Sequence, residues 1–188
     1  MQEEARDNQK QIFTIPNLLT VFRLLLVPVI VWLYCGKRDY PLAAWALVLS
    51  GVTDVADGFI ARHFHMVSDL GKVLDPIADK LTQTAALGCL LTRFPAMWWL
   101  LGVLVAKETF MTFMGLAVIR RTGSVYSAAW HGKLATCVLY AVIFAHIVWF
   151  GIPGAVSALM VAAGAASMLL SLTLYTMQNL RRIKAAGR

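Results

Sequence analysis

The chain has 188 residues, 59% of them hydrophobic and 14% charged, with a formal net charge of +7. A soluble domain carries roughly 25% charged residues, and one soluble core could not bury this much apolar sequence. The composition therefore excludes an ordinary soluble globular fold and predicts an all-α polytopic membrane protein, a single domain over 1–188 because no Pro/Gly/Ser-rich linker divides it.

Residues 1–15 are mostly polar and read as a short juxtamembrane, interfacial segment, with no basic-then-apolar run of a cleavable signal. Six apolar spans follow, at about 17–35, 41–61, 71–92, 96–119, 132–150 and 155–178, so the expected architecture is a bundle of six transmembrane helices. In the first span Asn17 is the expected N-cap, Arg23 is expected to snorkel to the headgroups, and Pro28 to kink the helix. Pro76 is expected to kink the third span locally. Trp98, Trp99, Trp130 and Trp149 fit interfacial belts. Lys107 and Glu108 form either an ion pair or a substrate contact, and His146 a hydrogen-bonded packing position. Cys35, Cys89 and Cys137 have no metal-ligand spacing and read as small buried hydrophobes.

Six spans place both termini on one side. Eleven Lys and Arg fall on that side against three on the other, which puts the termini in the cytoplasm of a multi-pass protein of the inner (plasma) membrane. The same placement of basic residues at span ends explains the positive charge by anionic lipid headgroups rather than nucleic acid.

Five of the ten acidic residues lie between Asp54 and Asp79, in the stretch DVADGFIARHFHMVSDLGKVLDPIAD. Ionisable groups in a membrane helix are costly and mark function by default. Asp54 and Asp57 are i, i+3 on the second span, with Gly58 and Ala61 continuing their face. Asp75 and Asp79 are i, i+4 on the third, with Gly71 one turn earlier. A short connection makes these two helices antiparallel neighbours and brings four carboxylates together at the cytoplasmic boundary. Four close carboxylates require cations. Oxygen-only donors favour hard ions, two Mg²⁺ or Mn²⁺, which typically clamp a phosphoryl or pyrophosphoryl group. Small residues leave room for a ligand, and Arg62 suits a phosphate anchor. Asp69 reads as a loop acid or cap. Intramembrane acids also occur in divalent-cation transporters, but those place them near the midplane, and these sit at a span end.

The spacing Asp54, Asp57, Gly58, Ala61, Arg62, then eight residues, then Gly71, Asp75 and Asp79 resembles the nine-position signature of the CDP-alcohol phosphatidyltransferase family. That resemblance implies a six-helix enzyme that replaces the CMP of CDP-diacylglycerol with an alcohol. It implies that Asp54, Asp57, Asp75 and Asp79 bind two divalent cations and that Asp79 accepts the proton of the attacking hydroxyl. It implies that Gly58, Ala61, Arg62 and Gly71 meet the cytidine nucleotide, that Ser68 contacts CDP-diacylglycerol, and that Asn17 to Thr20 face the nucleotide from the first helix. A homodimer is implied as well.

The start IPNLLTVFRLLLVPV and the block LDPIADK are most similar to bacterial phosphatidylglycerophosphate synthases, whose acceptor is glycerol 3-phosphate. A phosphorylated acceptor needs a basic pocket, for which Lys72, Lys107, Arg120, Arg121, His131 and Lys133 are the candidates. Lys133 lies in WHGKLAT, similar to the W-x-G-K block of those synthases. Ala106-Lys107-Glu108 departs from their Ser-Arg-Glu block. Cardiolipin synthases, which use phosphatidylglycerol as acceptor, are the alternative within the superfamily.

Overall fold

The computed structural model describes residues 14–64, 69–122 and 130–186, with backbone alone at 61, 62, 69, 70, 72, 122 and 184–186. The expected interfacial segment therefore lies almost wholly outside the described residues, as does Ser68. Among the described residues there are six α-helices: α1 (Ile15–Val31), α2 (Tyr40–His63), α3 (Asp69–Leu91), α4 (Met97–Thr122), α5 (Trp130–Val148) and α6 (Gly154–Ala186). No strand occurs among the described residues.

Five of the six are long and apolar enough to cross a membrane: Ile15–Lys37, Tyr40–Ile60, Met97–Arg121, Trp130–Val148 and Gly154–Ile183. The exception is α3. It forms a helix where the third span was expected, but Asp75, Asp79, Lys80 and the run Thr82-Gln83-Thr84 dilute its N-terminal and middle turns. Large apolar side chains such as Leu25, Trp45, Val52, Phe59, Phe113 and Leu159 are exposed along these helices. In water such a surface would be a liability; lipid tails are its natural solvent. The chain is a multi-pass membrane protein. Trp98, Trp99, Trp130 and Trp149 are all exposed, as belt residues must be. Of the three cysteines only Cys89 is buried. Cys35 and Cys137 are exposed, on apolar surface rather than in a core.

The chain forms two compact units, one through Thr92 and one from Arg93. In the first unit α1 is the common partner and packs along both α2 and α3. The extensive seams of this unit are those that α1 makes with α2 and with α3. The N-cap of α1 is Thr14, whose hydroxyl accepts from the Asn17 backbone N–H at 3.5 Å. Asn17 is therefore not the cap but a buried residue of the first turn. Pro16 beside it tolerates the start because its missing N–H has no helical partner there. Four residues after Pro28 the helix widens into a π-helical turn, Trp32–Lys37, a common adjustment where the regular i→i−4 ladder is disturbed. Arg38, at φ 57°, ends it, and the Asp39 carboxylate caps α2 by accepting from the Leu42 N–H at 3.1 Å.

In the second unit α4 and α5 both pack on α6. Gly164 of α6 permits this closeness: a Cβ there would stand 3.1 Å from Leu100 Cδ1 of α4 and 3.6 Å from Val142 Cγ2 of α5. Arg93 donates to the Phe150 carbonyl and lies over the Phe150 ring at 3.8 Å, joining the two turns at that end of the unit. His146 is fully buried, as the packing reading required. Its Nδ1 lies 2.8 Å from the Val142 carbonyl, which can only accept, so Nδ1 carries the proton and Nε2 accepts from the Ser157 hydroxyl at 2.9 Å. Phe94 covers the ring edge-on, with centroids 5.0 Å apart. Ser157→Ala strands Nε2 in this apolar setting, and a loss of about 1–3 kcal/mol is expected, the cost of a buried acceptor without a donor. Thermal unfolding in detergent checks it; an unchanged midpoint would show that the hydroxyl is dispensable.

Candidate functional site

Residues that sit far apart in sequence are drawn to one face of α1. Thr20 and Arg23 are i, i+3 on that helix and share the face; both are fully buried, at 0% and 1% exposure. The Arg23 guanidinium pairs with two carboxylates of α2, Nη1 with Asp54 Oδ1 and Nη2 with Asp57 Oδ2. Asp57 is buried, whereas the Asp54 side chain is 49% exposed, so the pair runs from the interior to an open edge. The Thr20 hydroxyl lies 2.5 Å from Asp75 Oδ1 of α3 and 3.1 Å from the Pro16 carbonyl. Its single proton belongs to the closer, charged acceptor, a distance typical of a hydroxyl on a carboxylate. One turn further along α3, Gln83 Nε2 donates to Asp79 Oδ2 at 2.8 Å.

The four aspartates of the signature thus each have a side-chain partner in the first unit: Arg23 for two, Thr20 for the third, Gln83 for the fourth. Asn17 is buried one turn before Thr20, and Gly71 is buried one turn before Asp75 while Gly58 is half-buried beside Asp57. The side chains of Ala61, Arg62 and Lys72 lie outside the described residues.

The remaining basic candidates belong to the second unit. Arg120 and Arg121 are exposed in the last turns of α4, and Lys133 is exposed in the first turn of α5. Lys107 is buried within α4 with its Nζ 2.6 Å from Glu108 Oε1, so the ion-pair reading describes this residue. His131, also buried, faces the Ser171 hydroxyl at 3.4 Å.

Sequence reasoning missed Arg23 and Gln83. The signal for Arg23 was its depth. Eight residues past Ile15, at 1.5 Å per residue, it stands about 12 Å into the helix, beyond comfortable reach of the headgroups, and the next helix supplies two acids. Gln83 follows Asp79 by four residues, the spacing of a helical side-chain pair.

The donor set tests whether divalent metal suits this place. It is all oxygen, and three of its four carboxylates are held at one face of α1, which fits hard cations rather than zinc or copper. Among the described residues no three His, Cys, Asp or Glu side chains close to the spacing of a single-ion shell. The fit is one of chemistry and placement.

The sequence profile of the CDP-alcohol phosphatidyltransferase family matches residues 13–176. A probable phosphatidylglycerophosphate synthase of Mycobacterium tuberculosis is 36% identical over 160 residues, 82% of this chain and 76% of that protein. A CDP-diacylglycerol–glycerol-3-phosphate 3-phosphatidyltransferase of Bacillus subtilis is 34% identical over 138 residues, 66% of this chain and 71% of its own length. A cardiolipin synthase (CMP-forming) of Streptomyces coelicolor is 37% identical over 126 residues, 64% and 58% of the two chains. The matched span runs from the helix that carries Thr20 and Arg23 through all four aspartates and on into α6, and the chain belongs to the CDP-alcohol phosphatidyltransferase family of enzymes.

Proposed function

We propose that the chain transfers a phosphatidyl group from CDP-diacylglycerol to the hydroxyl of glycerol 3-phosphate and releases CMP at the cytoplasmic face of the membrane. The observation that carries this reading is the gathering of Asp54, Asp57 and Asp75, from two helices, onto Thr20 and Arg23 of a third. The four aspartates would hold two divalent cations, Mg²⁺ or Mn²⁺, which when bound neutralise the diphosphate and the charge that develops on it.

The residues of the chain act around that charge. Asp79 accepts the proton of the acceptor hydroxyl as its oxygen bonds to the lipid-side phosphorus. The phosphoanhydride bond breaks, and CMP leaves with the bonding electron pair. Gly58, Ala61 and Gly71 allow the nucleotide close to the backbone, and Arg62, Asn17, Thr20 and Ser68 complete the donor pocket. Lys72, Lys107, Arg120, Arg121 and Lys133 are the basic groups from which an acceptor-phosphate site would be drawn. The basic residues at span ends support cytoplasmic termini, and a sixth span at α3 would make that arrangement even. A homodimer remains part of the proposal through the family resemblance.

A second reading is favoured by the cardiolipin synthase of Streptomyces coelicolor: the same chemistry with phosphatidylglycerol as acceptor. An acceptor screen decides. Purified protein is supplied with CDP-diacylglycerol, Mg²⁺ or Mn²⁺, and glycerol 3-phosphate, phosphatidylglycerol, inositol phosphate or serine, and CMP is measured. Glycerol 3-phosphate is expected to support turnover, and Lys133→Ala to raise its KM about tenfold, the scale of one lost charge-assisted contact, with a smaller effect on CDP-diacylglycerol. Turnover with phosphatidylglycerol alone establishes the second reading. Divalent-ion flux into liposomes without CMP release from any acceptor overturns both.

A further inference from the structure

Arg23 has no place in the catalytic scheme above, yet it is among the most completely buried side chains of the chain. Burying a guanidinium is costly, and a buried ion pair is often no more stabilising than apolar residues of the same volume. A leucine or methionine would seat α1 against α2 without the desolvation. The geometry points to another use. The guanidinium is planar and its two terminal nitrogens are fixed relative to one another. One takes Oδ1 of Asp54 and the other Oδ2 of Asp57, so the fork reaches one oxygen of each carboxylate rather than both oxygens of one. One turn earlier Thr20 holds Oδ1 of Asp75 in the same one-oxygen manner.

We infer that Arg23 is a positioning residue: from α1 it fixes the rotation of the Asp54 and Asp57 carboxylates so that their second oxygens are presented together to a divalent cation. This rests on the reading of those aspartates as metal ligands. Groups that orient ligands from behind contribute about 10–100-fold to metal affinity. The guanidinium also leaves a fixed positive charge beside a site that receives a diphosphate.

The test is direct binding of Mn²⁺ to the full chain in detergent, followed by the loss of the free-ion EPR signal, with thermal unfolding in EDTA as the measure of fold. Arg23→Gln is expected to weaken Mn²⁺ binding by at least about tenfold. Arg23→Lys keeps the buried charge but not the fork; it is expected to retain the EDTA midpoint more closely than Arg23→Gln and still to bind Mn²⁺ several-fold more weakly than wild type. If Arg23→Gln does not fold, the lysine variant alone decides. Wild-type affinity in Arg23→Lys would overturn the positioning role. Tighter binding in either variant would overturn it too, because Arg23 would then be a competitor that a cation must displace. Absence of Mn²⁺ binding by wild type would instead overturn the metal reading itself, and the inference with it.

Discussion

Replacing Asp57 with alanine is expected to abolish CMP release and to lower stability, whereas Asp75→Ala is expected to abolish CMP release at near-native stability. The two aspartates are equivalent in the proposed chemistry and differ in what they leave behind. Asp57 is buried against Arg23, and its removal takes one of two partners from a guanidinium that has almost no access to solvent. Removing one member of a buried pair costs about 3–5 kcal/mol; because Asp54 still faces Arg23, a loss near the lower end is expected. Asp75 is held by a neutral hydroxyl that already faces a second acceptor, the Pro16 carbonyl, at 3.1 Å. Thr20 can turn its proton there, and a cost below about 1 kcal/mol follows. Both variants lose a proposed metal ligand. Metal stabilisation of the developing charge is worth several kcal/mol, and about 1.4 kcal/mol is tenfold in rate, so turnover should fall by at least about a hundredfold in each. CMP release and thermal unfolding, measured on the same preparations, separate the two effects. Near-normal turnover in Asp75→Ala would contradict the two-ion reading. A wild-type midpoint in Asp57→Ala would show that Arg23 does not depend on its buried partner.

Composition sufficed to identify a multi-pass helical membrane protein, because apolar runs long enough to span a bilayer have few alternative fates. Helix existence was legible for all six elements. What composition could not supply was the partner of each helix. The short connection between α2 and α3 makes them neighbours in sequence, but chain connectivity says nothing about a third helix that both can grip, and α1 takes that position. The same blind spot misplaced Arg23. Taken from the first span alone, an arginine between Phe22 and Leu24 has nothing to meet but the headgroups. The carboxylates that hold it are more than thirty residues away and become neighbours only through the α1–α2 seam. Asn17 was misread for a smaller reason. Thr14 and Asn17 are both good caps, and two residues of propensity do not decide which one the helix starts behind.

The facing of each aspartate pair was legible because its spacing puts both acids on one helical face whatever the rest of the chain does. A site for the proposed acceptor was not, because binding surfaces are properties of a folded chain rather than of a spacing. Its candidates are scattered over α3, α4 and α5, and one of them, Lys107, is engaged with Glu108 inside its own unit.

Asp79→Asn carries the second large effect and separates the two roles proposed for one carboxylate. The substitution keeps size and shape, and an amide can present its oxygen to Gln83 Nε2 as the carboxylate does at 2.8 Å, so the local fold is expected to persist. An amide oxygen is a weaker ligand than a carboxylate, and it cannot take up a proton. If Asp79 only holds a cation, raising Mn²⁺ to saturation should restore most of the turnover. If it also accepts the proton of the acceptor hydroxyl, kcat should remain depressed at saturating Mn²⁺, by roughly 10²–10⁴-fold, the range for loss of a positioned general base. The second outcome is expected, with the KM for CDP-diacylglycerol changing by less than about threefold, because proton transfer concerns the transition state and not the binding of the donor. Metal titrations of kcat and KM on wild type and Asp79→Asn decide between them. Full recovery of kcat with Mn²⁺ would remove Asp79 from the proton transfer and leave that step to another group or to water.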